Sequence, residues 1–198
     1  MKRNTPELKE KLIQTGVEEI QKHGIDQLSL RTVARACGVT HGTPYKHFES
    51  KEGYLKVVLS RLSDSYNSAV TKNIDNFTTA REQLIQMGLN FVVFAQDNPY
   101  HFEALFIKYP FNYMKVTSET IITTTSLPGF DHFKDIVTRL RQEKQLISNE
   151  TDTLIHFWSF ISGLSVLIKS PIGDNFTQQD IQEIIEQMLN IYIKGGQR

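Results

Sequence analysis

The stretch Ser29-Leu30-Arg31-Thr32-Val33-Ala34-Arg35-Ala36-Cys37-Gly38-Val39-Thr40-His41-Gly42-Thr43-Pro44-Tyr45-Lys46-His47-Phe48 decides how the chain reads. Leu30, Val33, Ala34 and Cys37 recur at helical spacing behind Ser29, whose hydroxyl suits a helix start, and Gly38 supplies a left-handed stop. Thr40 can cap the next helix, which runs to about Phe48. Two short helices separated by Cys37-Gly38-Val39 have the layout of a helix-turn-helix, in which the second helix lies in the major groove of DNA. Thr40, His41, Thr43, Tyr45, Lys46 and His47 give that helix hydroxyls, imidazoles, a phenol and an ammonium able to reach base edges or phosphate oxygens. Gly42 has no side chain to keep a DNA backbone away. A polar surface helix joining two core helices would have much the same composition, so the neighbouring residues carry weight. Ser29, Thr40 and Ser50 each open a helix, where free backbone N–H groups favour phosphate. Thr32 and Lys51 fall in the first turns of the second and fourth helices, where a backbone contact would be made.

Helical periodicity extends in both directions from this segment. Upstream, Thr5-Pro6 opens a first helix whose stripe is Leu8, Leu12, Ile13, Val17 and Ile20, and Gly24 ends it. Downstream, Ser50 caps a fourth helix with Glu52 opposing its dipole, and Leu55, Val58, Leu59, Leu62, Tyr66, Ala69 and Val70 continue to about Lys72. Further helices are expected near 79–97, 100–109, 131–144, 150–169 and 178–194. From Phe111 to Pro128, five threonines and Ile121-Ile122 favour extended structure, and the segment reads as an irregular connection. The expected fold is all-α, with about nine helices: a three-helix DNA-binding domain over residues 1–62 and a larger helical domain over 63–198.

The densest part of the pattern, Cys37-Gly38-Val39-Thr40-His41-Gly42-Thr43-Pro44-Tyr45-Lys46-His47-Phe48-Glu49-Ser50-Lys51-Glu52, resembles the tetracycline-repressor (TetR) family of bacterial regulators. The glycine, the Tyr-x-x-Phe and the Ser-Lys-Glu stand at the family's positions, and the likeness covers about a quarter of the chain. It implies that Tyr45, His47 and Lys51 contact phosphates, that Thr40, His41, Thr43 and Lys46 meet bases or backbone, and that Phe48 packs the recognition helix onto the first helix. Pro44 departs from the family, which more often has a branched aliphatic residue there. Its missing N–H falls in the opening turn of the helix.

Ten of the twenty aromatic residues lie between Phe91 and Phe133. In the family the corresponding helices surround a small-molecule pocket, which here implies a lining drawn from Phe91, Phe94, Phe102, Phe106, Tyr109, Tyr113, Phe133, Phe157 and Trp158. Ordinary core packing would use the same residues. The helix holding Leu154, Ile155, Phe157, Trp158, Phe160, Ile161, Leu164, Val166, Leu167 and Ile168 is apolar nearly all round, yet Ser159, Ser162 and Ser165 interrupt it, which favours burial over membrane crossing. The last helix has a wide stripe of Ile181, Ile184, Ile185, Met188, Leu189, Ile191 and Tyr192. By the resemblance, these two helices form half of an intersubunit four-helix bundle, and a symmetric dimer would place two recognition helices about 34 Å apart on a palindrome.

Charge and composition agree with this. The net charge is zero, but residues 1–62 carry eleven Lys+Arg against seven Asp+Glu, while the remainder carries eleven against fifteen. A basic segment on an acidic body suits DNA phosphates. The single cysteine, Cys37, excludes an intramolecular disulfide and a thiolate metal cluster. The first residues lack the apolar run of a signal peptide, so a cytoplasmic protein is expected. Gly163-Leu164-Ser165-Val166-Leu167 lacks the closing glycine of a nucleophile elbow, Asp152 and His156 have no third metal ligand near them, and neither glycine-rich phosphate fingerprint occurs. No enzyme, cofactor or metal site is expected. The reading is a ligand-responsive regulator, a homodimer that binds a palindromic operator, usually as a repressor, and is released by a small molecule. The alternative is a ligand-sensing adaptor that acts through protein contacts and has a vestigial helix-turn-helix.

Overall fold

The computed structural model of the chain describes residues 5–109, 114–117, 119–123, 127–169 and 176–197. In chain order the helices are α1 (Thr5–His23), α2 (Leu30–Ala36), α3 (Thr43–Phe48), α4 (Lys51–Val70), α5 (Ala80–Asp97), α6 (Pro99–Phe102), α7 (Pro128–Lys144), α8 (Glu150–Lys169) and α9 (Gln178–Gly196). Two short strands, β1 (Met114–Val116) and β2 (Ile121–Thr123), lie between α6 and α7. The all-α class is observed. The chain divides into two compact units, Met1–Ser65 with Tyr100–Pro110, and Tyr66–Pro99 with Phe111–Arg198. The return of residues 100–110 to the first unit is a feature that a single division after Leu62 does not contain.

In the first unit, the stripe of α1 faces inward, with Leu12 and Ile20 fully buried. Gly24 ends the helix at φ 78°, a conformation that an L side chain would strain. Val33 and Ala34 of α2 and Phe48 of α3 close over the same core, joined by Val58, Leu59 and Leu62 of α4. Residues 100–109, expected as one regular helix, instead continue the single turn of α6, which opens at Pro99, into a π-helical turn, Glu103–Lys108. Pro99, at the first helical position, has no N–H to place in a longer ladder, and the wider turn lets the chain continue without breaking. Phe102 is buried there, its ring 5.1 Å from that of Phe106, and Lys108 Nζ donates to Asp26 at 2.7 Å.

The second unit is built around α5, which packs against α7, α8 and α9. Thr79 caps α5 in a reciprocal pair with Glu82, and Thr177 caps α9 in the same way with Asp180, which is why both helices begin where they do. Leu84, Met87, Phe91 and Val92 of α5 meet Val137 and Leu140 of α7, Leu154 and Phe157 of α8, and Ile181 and Leu189 of α9 in the core. Gly88 lets α5 come close to α8 and α9: a Cβ there would lie 3.4 Å from both Ile161 and Ile185. The end of α4 is closed by Asn90, whose Nδ2 donates to the carbonyls of Val70 and Lys72.

Two expectations are corrected. The 111–128 segment is not wholly irregular: β1 and β2 pair antiparallel in the register Met114↔Thr123 and Val116↔Ile121. Thr117 closes the turn, its hydroxyl accepting from Thr120 N at 3.0 Å, so the threonine-rich composition that argued against a helix builds a hairpin instead. The helix after it starts at Pro128 rather than Asp131, because proline's fixed φ suits a first helical position.

Candidate nucleic-acid interface

The turn of the helix-turn-helix is built from backbone hydrogen bonds that Gly38 makes possible. With Gly38 at φ 70°, its N–H donates to Arg35 O at 3.0 Å and Val39 N–H donates to Ala34 O at 2.9 Å, the paired pattern of a glycine-terminated helix. Ser29 opens α2 as expected, accepting from Thr32 N at 3.1 Å, and its hydroxyl also lies 2.8 Å from that of Thr32. Buried Cys37 ties the turn to α1: its Sγ is 3.2 Å from Thr15 Oγ1 and donates to Lys11 O.

Thr40 does not cap the recognition helix. Gly42 is the residue before α3, and no side chain caps it. Thr40 stands one turn earlier, its carbonyl accepting from Thr43 N at 2.9 Å and its hydroxyl 3.0 Å from that of Thr43. The reason is Pro44. As the second residue of a helix that starts at Thr43, it falls in the opening turn, where N–H groups have no intrahelical partner, and its ring is buried. A helix capped at Thr40 would place that missing donor in its first intrahelical bond.

The recognition helix presents a polar outer side. Thr40, His41, Tyr45, Lys46 and Lys51 are exposed, Tyr45 at 49%, while Thr32, Gly42, Thr43 and His47 are half-buried. A Cβ on Gly42 would meet nothing within 4 Å, so the space beside it is open to a partner. Lys51 is the first residue of α4, where Ser50 Oγ accepts from Gly53 N at 2.9 Å. The nine sequence-derived residues thus lie on α2, the turn, α3 and the first turn of α4, all in the first unit.

Besides Phe48, five residues given no role from the sequence bear on how α3 is held: Lys9, Gly16, Glu49, Gly53 and Tyr54. Phe48, its last residue, packs edge-on to fully buried Tyr54, with ring centroids 5.0 Å apart at 73°. Tyr54 Oη donates to Leu12 O at 2.7 Å, and Lys9 Nζ lies 5.7 Å from the centre of the Phe48 ring. Burial pushes the Tyr54 phenol well above its ordinary pKa, so it remains a donor. Gly16 and Gly53 leave room for these contacts, and Glu49 adopts φ 63° just beyond α3. The available signal was glycine within two otherwise good helices, a costly choice unless a neighbour needs the space.

The expected pocket residues fall on both units. Phe102 and Phe106 stack in the first, and Tyr109 follows the π-helical turn. In the second, Phe91 and Phe94 each pack edge-on to Tyr66, Phe130 lies between Phe133 and Trp158, and Phe157 packs on Tyr192 at 4.7 Å. Tyr113 lies outside the described residues. Among the described residues, no cluster of three or more His, Cys, Asp or Glu could hold a metal ion. His156 and Asp152 turn to other partners, Tyr192 Oη and Asn149 Nδ2.

Residues 12–58 match the family profile described as bacterial regulatory proteins, tetR family. An HTH-type transcriptional regulator of Haemophilus influenzae, itself uncharacterised, is 27% identical over 99 residues, 50% of this chain and 53% of that protein. The chain therefore matches about half the length of that curated relative. A protein of unknown function from Rhodococcus sp. RHA1 has a similar structure, with a TM-score of 0.72, 18% identity and 96% of each chain covered. A TetR family transcription regulator from Marinobacter aquaeolei VT8 aligns over 100% of both chains, with a TM-score of 0.65 and 18% identity. These two likenesses speak for the fold, and the profile falls on the helices and turn described above. Residues 12–58 are thus similar to the TetR family of bacterial regulatory proteins, and the fold of the chain is similar to that of solved regulators of that family.

Proposed function

We propose that this chain is a ligand-responsive transcriptional repressor that binds a palindromic operator as a homodimer. The observation that carries the reading is the recognition helix itself: Tyr45, Lys46 and Lys51 exposed beside an open Gly42, on a turn fixed by Gly38. Base edges are met by α3, and phosphates by Tyr45, His47 and Lys51. Residues 1–62 form the DNA-binding part, and 63–198 the sensing and dimerising part.

The dimer reading is supported by apolar surface on the last two helices. Val166 and Leu167 of α8 are 49% and 60% exposed, Ile191 of α9 is 74% exposed, and a Cβ on Gly163 would meet nothing within 4 Å. Exposed apolar side chains around a small residue suit close approach of a second copy. By length and composition alone α8 could also cross a membrane. Its cap by Asn149, which accepts from Asp152 N, and its buried Thr153 and Ser165 favour a helix packed in protein, consistent with a cytoplasmic regulator. An effector would occupy the aromatic-rich region, and it can shift the DNA-binding equilibrium only by its difference in affinity for the two forms.

The test is a salt titration of DNA binding by the full chain and by Lys51→Ala and Tyr45→Phe. Both variants bind all duplexes more weakly, and the lysine change lowers the salt slope by about one. Unchanged affinity in both variants at moderate salt would overturn the phosphate assignment.

A further inference from the structure

We propose that Tyr54 is a positioning residue for DNA recognition: seated in the notch left by Gly16 and edge-on to Phe48, it fixes the angle at which α3 presents its side chains to the bases. This rests on the DNA-binding reading above, and Tyr54 itself touches no DNA.

Three features converge on the C-terminal end of α3. The first is a tight turn. Glu49 has φ 63° and ψ −44°, and Ser50 N–H donates to Phe48 O at 2.6 Å, which makes Phe48-Glu49-Ser50 a three-residue turn of the strained, positive-φ kind. The second is a close approach. A Cβ on Gly53 would stand 2.3 Å from the Phe48 carbonyl oxygen, so the first turn of α4 presses on the backbone that ends α3. The third is the tyrosine. Its ring meets the edge of Phe48, and its hydroxyl reaches Leu12 O at 2.7 Å, crossing α1 at Gly16, where a Cβ would stand 2.1 Å from that hydroxyl.

A side chain needed only to fill the core would require neither a hydroxyl bond to α1 nor a glycine notch in that helix. Nor would simple filling explain strain retained at Glu49. All three features act on Phe48, one turn of helix from Tyr45 and two residues from Lys46. Any rotation of α3 about its held end would displace those side chains from the bases and phosphates they are aimed at, and a small misplacement is enough to weaken a directional contact. What Tyr54 contributes is a neutral hydrogen bond and volume, not charge. Tyr54 variants should therefore change which DNA is preferred and leave counterion release alone.

The experiment compares binding of the full chain to the duplex it selects from a random pool and to an unselected duplex. Affinity is measured beside a thermal melt, well below the melting temperature of every variant. Tyr54→Phe keeps the ring and removes the hydroxyl bond: affinity for the selected duplex falls about tenfold, while affinity for the unselected duplex and the salt slope stay the same. Gly16→Ala pushes the tyrosine out of its notch and lowers selected affinity further, by about a hundredfold, and adding Tyr54→Leu restores part of that loss. Glu49→Gly releases the strained turn: the melting temperature does not drop, yet selected affinity does. Equal losses on both duplexes, or selected affinity that simply follows the melting temperature, would overturn the proposal and leave Tyr54 a packing residue. If the unmodified chain selects no DNA, it is the DNA-binding reading that fails, and this proposal with it.

Discussion

The two compact units hold their helices by different means. In the N-terminal unit, placement depends on single atoms: the hydrogen that Gly16 has instead of a methyl, the Phe48 carbonyl against Gly53, the Tyr54 hydroxyl on Leu12 O, and the positive φ of Gly38 and Glu49. In the C-terminal unit, α5 is surrounded by Leu, Ile, Val, Met and Phe side chains from three other helices, and apart from Gly129 the described glycines there leave ordinary van der Waals room. The difference follows from what each has to do. A six-residue helix has too few hydrogen bonds and too little apolar surface to hold its own direction, so its neighbours must hold it. A long helix with a buried stripe is oriented by area alone.

Substitutions separate the two modes of holding. The largest expected effect is that of Gly53→Ala, whose added methyl meets backbone that cannot swing away; melting experiments should show a loss of about 3 kcal/mol, the upper range for overpacking, together with loss of selective DNA binding. Asn67→Ala tests a place where the second unit also relies on a single polar contact. Buried Asn67 Oδ1 accepts from Gly129 N at 3.1 Å, and a denaturant titration should register a loss of about 1–3 kcal/mol from the orphaned donor. Leu140→Met changes shape in the C-terminal core and keeps volume. It should cost less than about 1.5 kcal/mol and leave DNA binding intact; a loss as large as that of Gly53→Ala would show that both units are equally exacting.

The smallest effect concerns pH. His101 is buried in the N-terminal unit with neither ring nitrogen hydrogen-bonded, and burial lowers its pKa below the ordinary 6.5, more than the nearby Val17 carbonyl raises it. The folded chain thus prefers neutral imidazole. Its contribution to stability is present above about pH 6.5 and is lost as pH falls from there towards the lowered folded value, where the unfolded chain has already taken up its proton. His101→Phe should flatten that part of the melting-temperature profile, and an unaltered slope would remove His101 as its source.

Much of this arrangement was legible in the residues. Capping threonines and serines, glycine stops and apolar stripes located α8 at Glu150–Lys169 and opened α2, α4, α5 and α9 within a residue of where they begin. These signals are local, a few residues wide, and depend on backbone chemistry the sequence states directly. The Thr40 cap was misread because two local rules compete there: threonine suits a cap, but Pro44 then sits where a donor is wanted. The hairpin at 114–123 was half-read, since β-branched residues gave the extended character but not the pairing partner. Tyr54, Gly16, Gly53 and Glu49 were not read at all. Their role exists only when α1, α3 and α4 come together, and no periodicity along one helix records what a glycine on another makes room for. The aromatic lining expected for an effector is not separable from core packing in the sequence for a related reason: Phe91, Phe94, Phe157 and Trp158 are as well used in a core as in a lining.

The most direct measurement is to sequence the duplexes that the purified full chain retains from a random pool. A dimeric operator-binding regulator retains an inverted repeat whose half-site centres are separated by about one or more helical turns, about 10–10.5 base pairs each, and whose enrichment disappears with Gly53→Ala. A pool recovered without any preferred sequence, or with a single half-site bound by one copy, would contradict the reading of this chain as a dimeric operator-binding regulator.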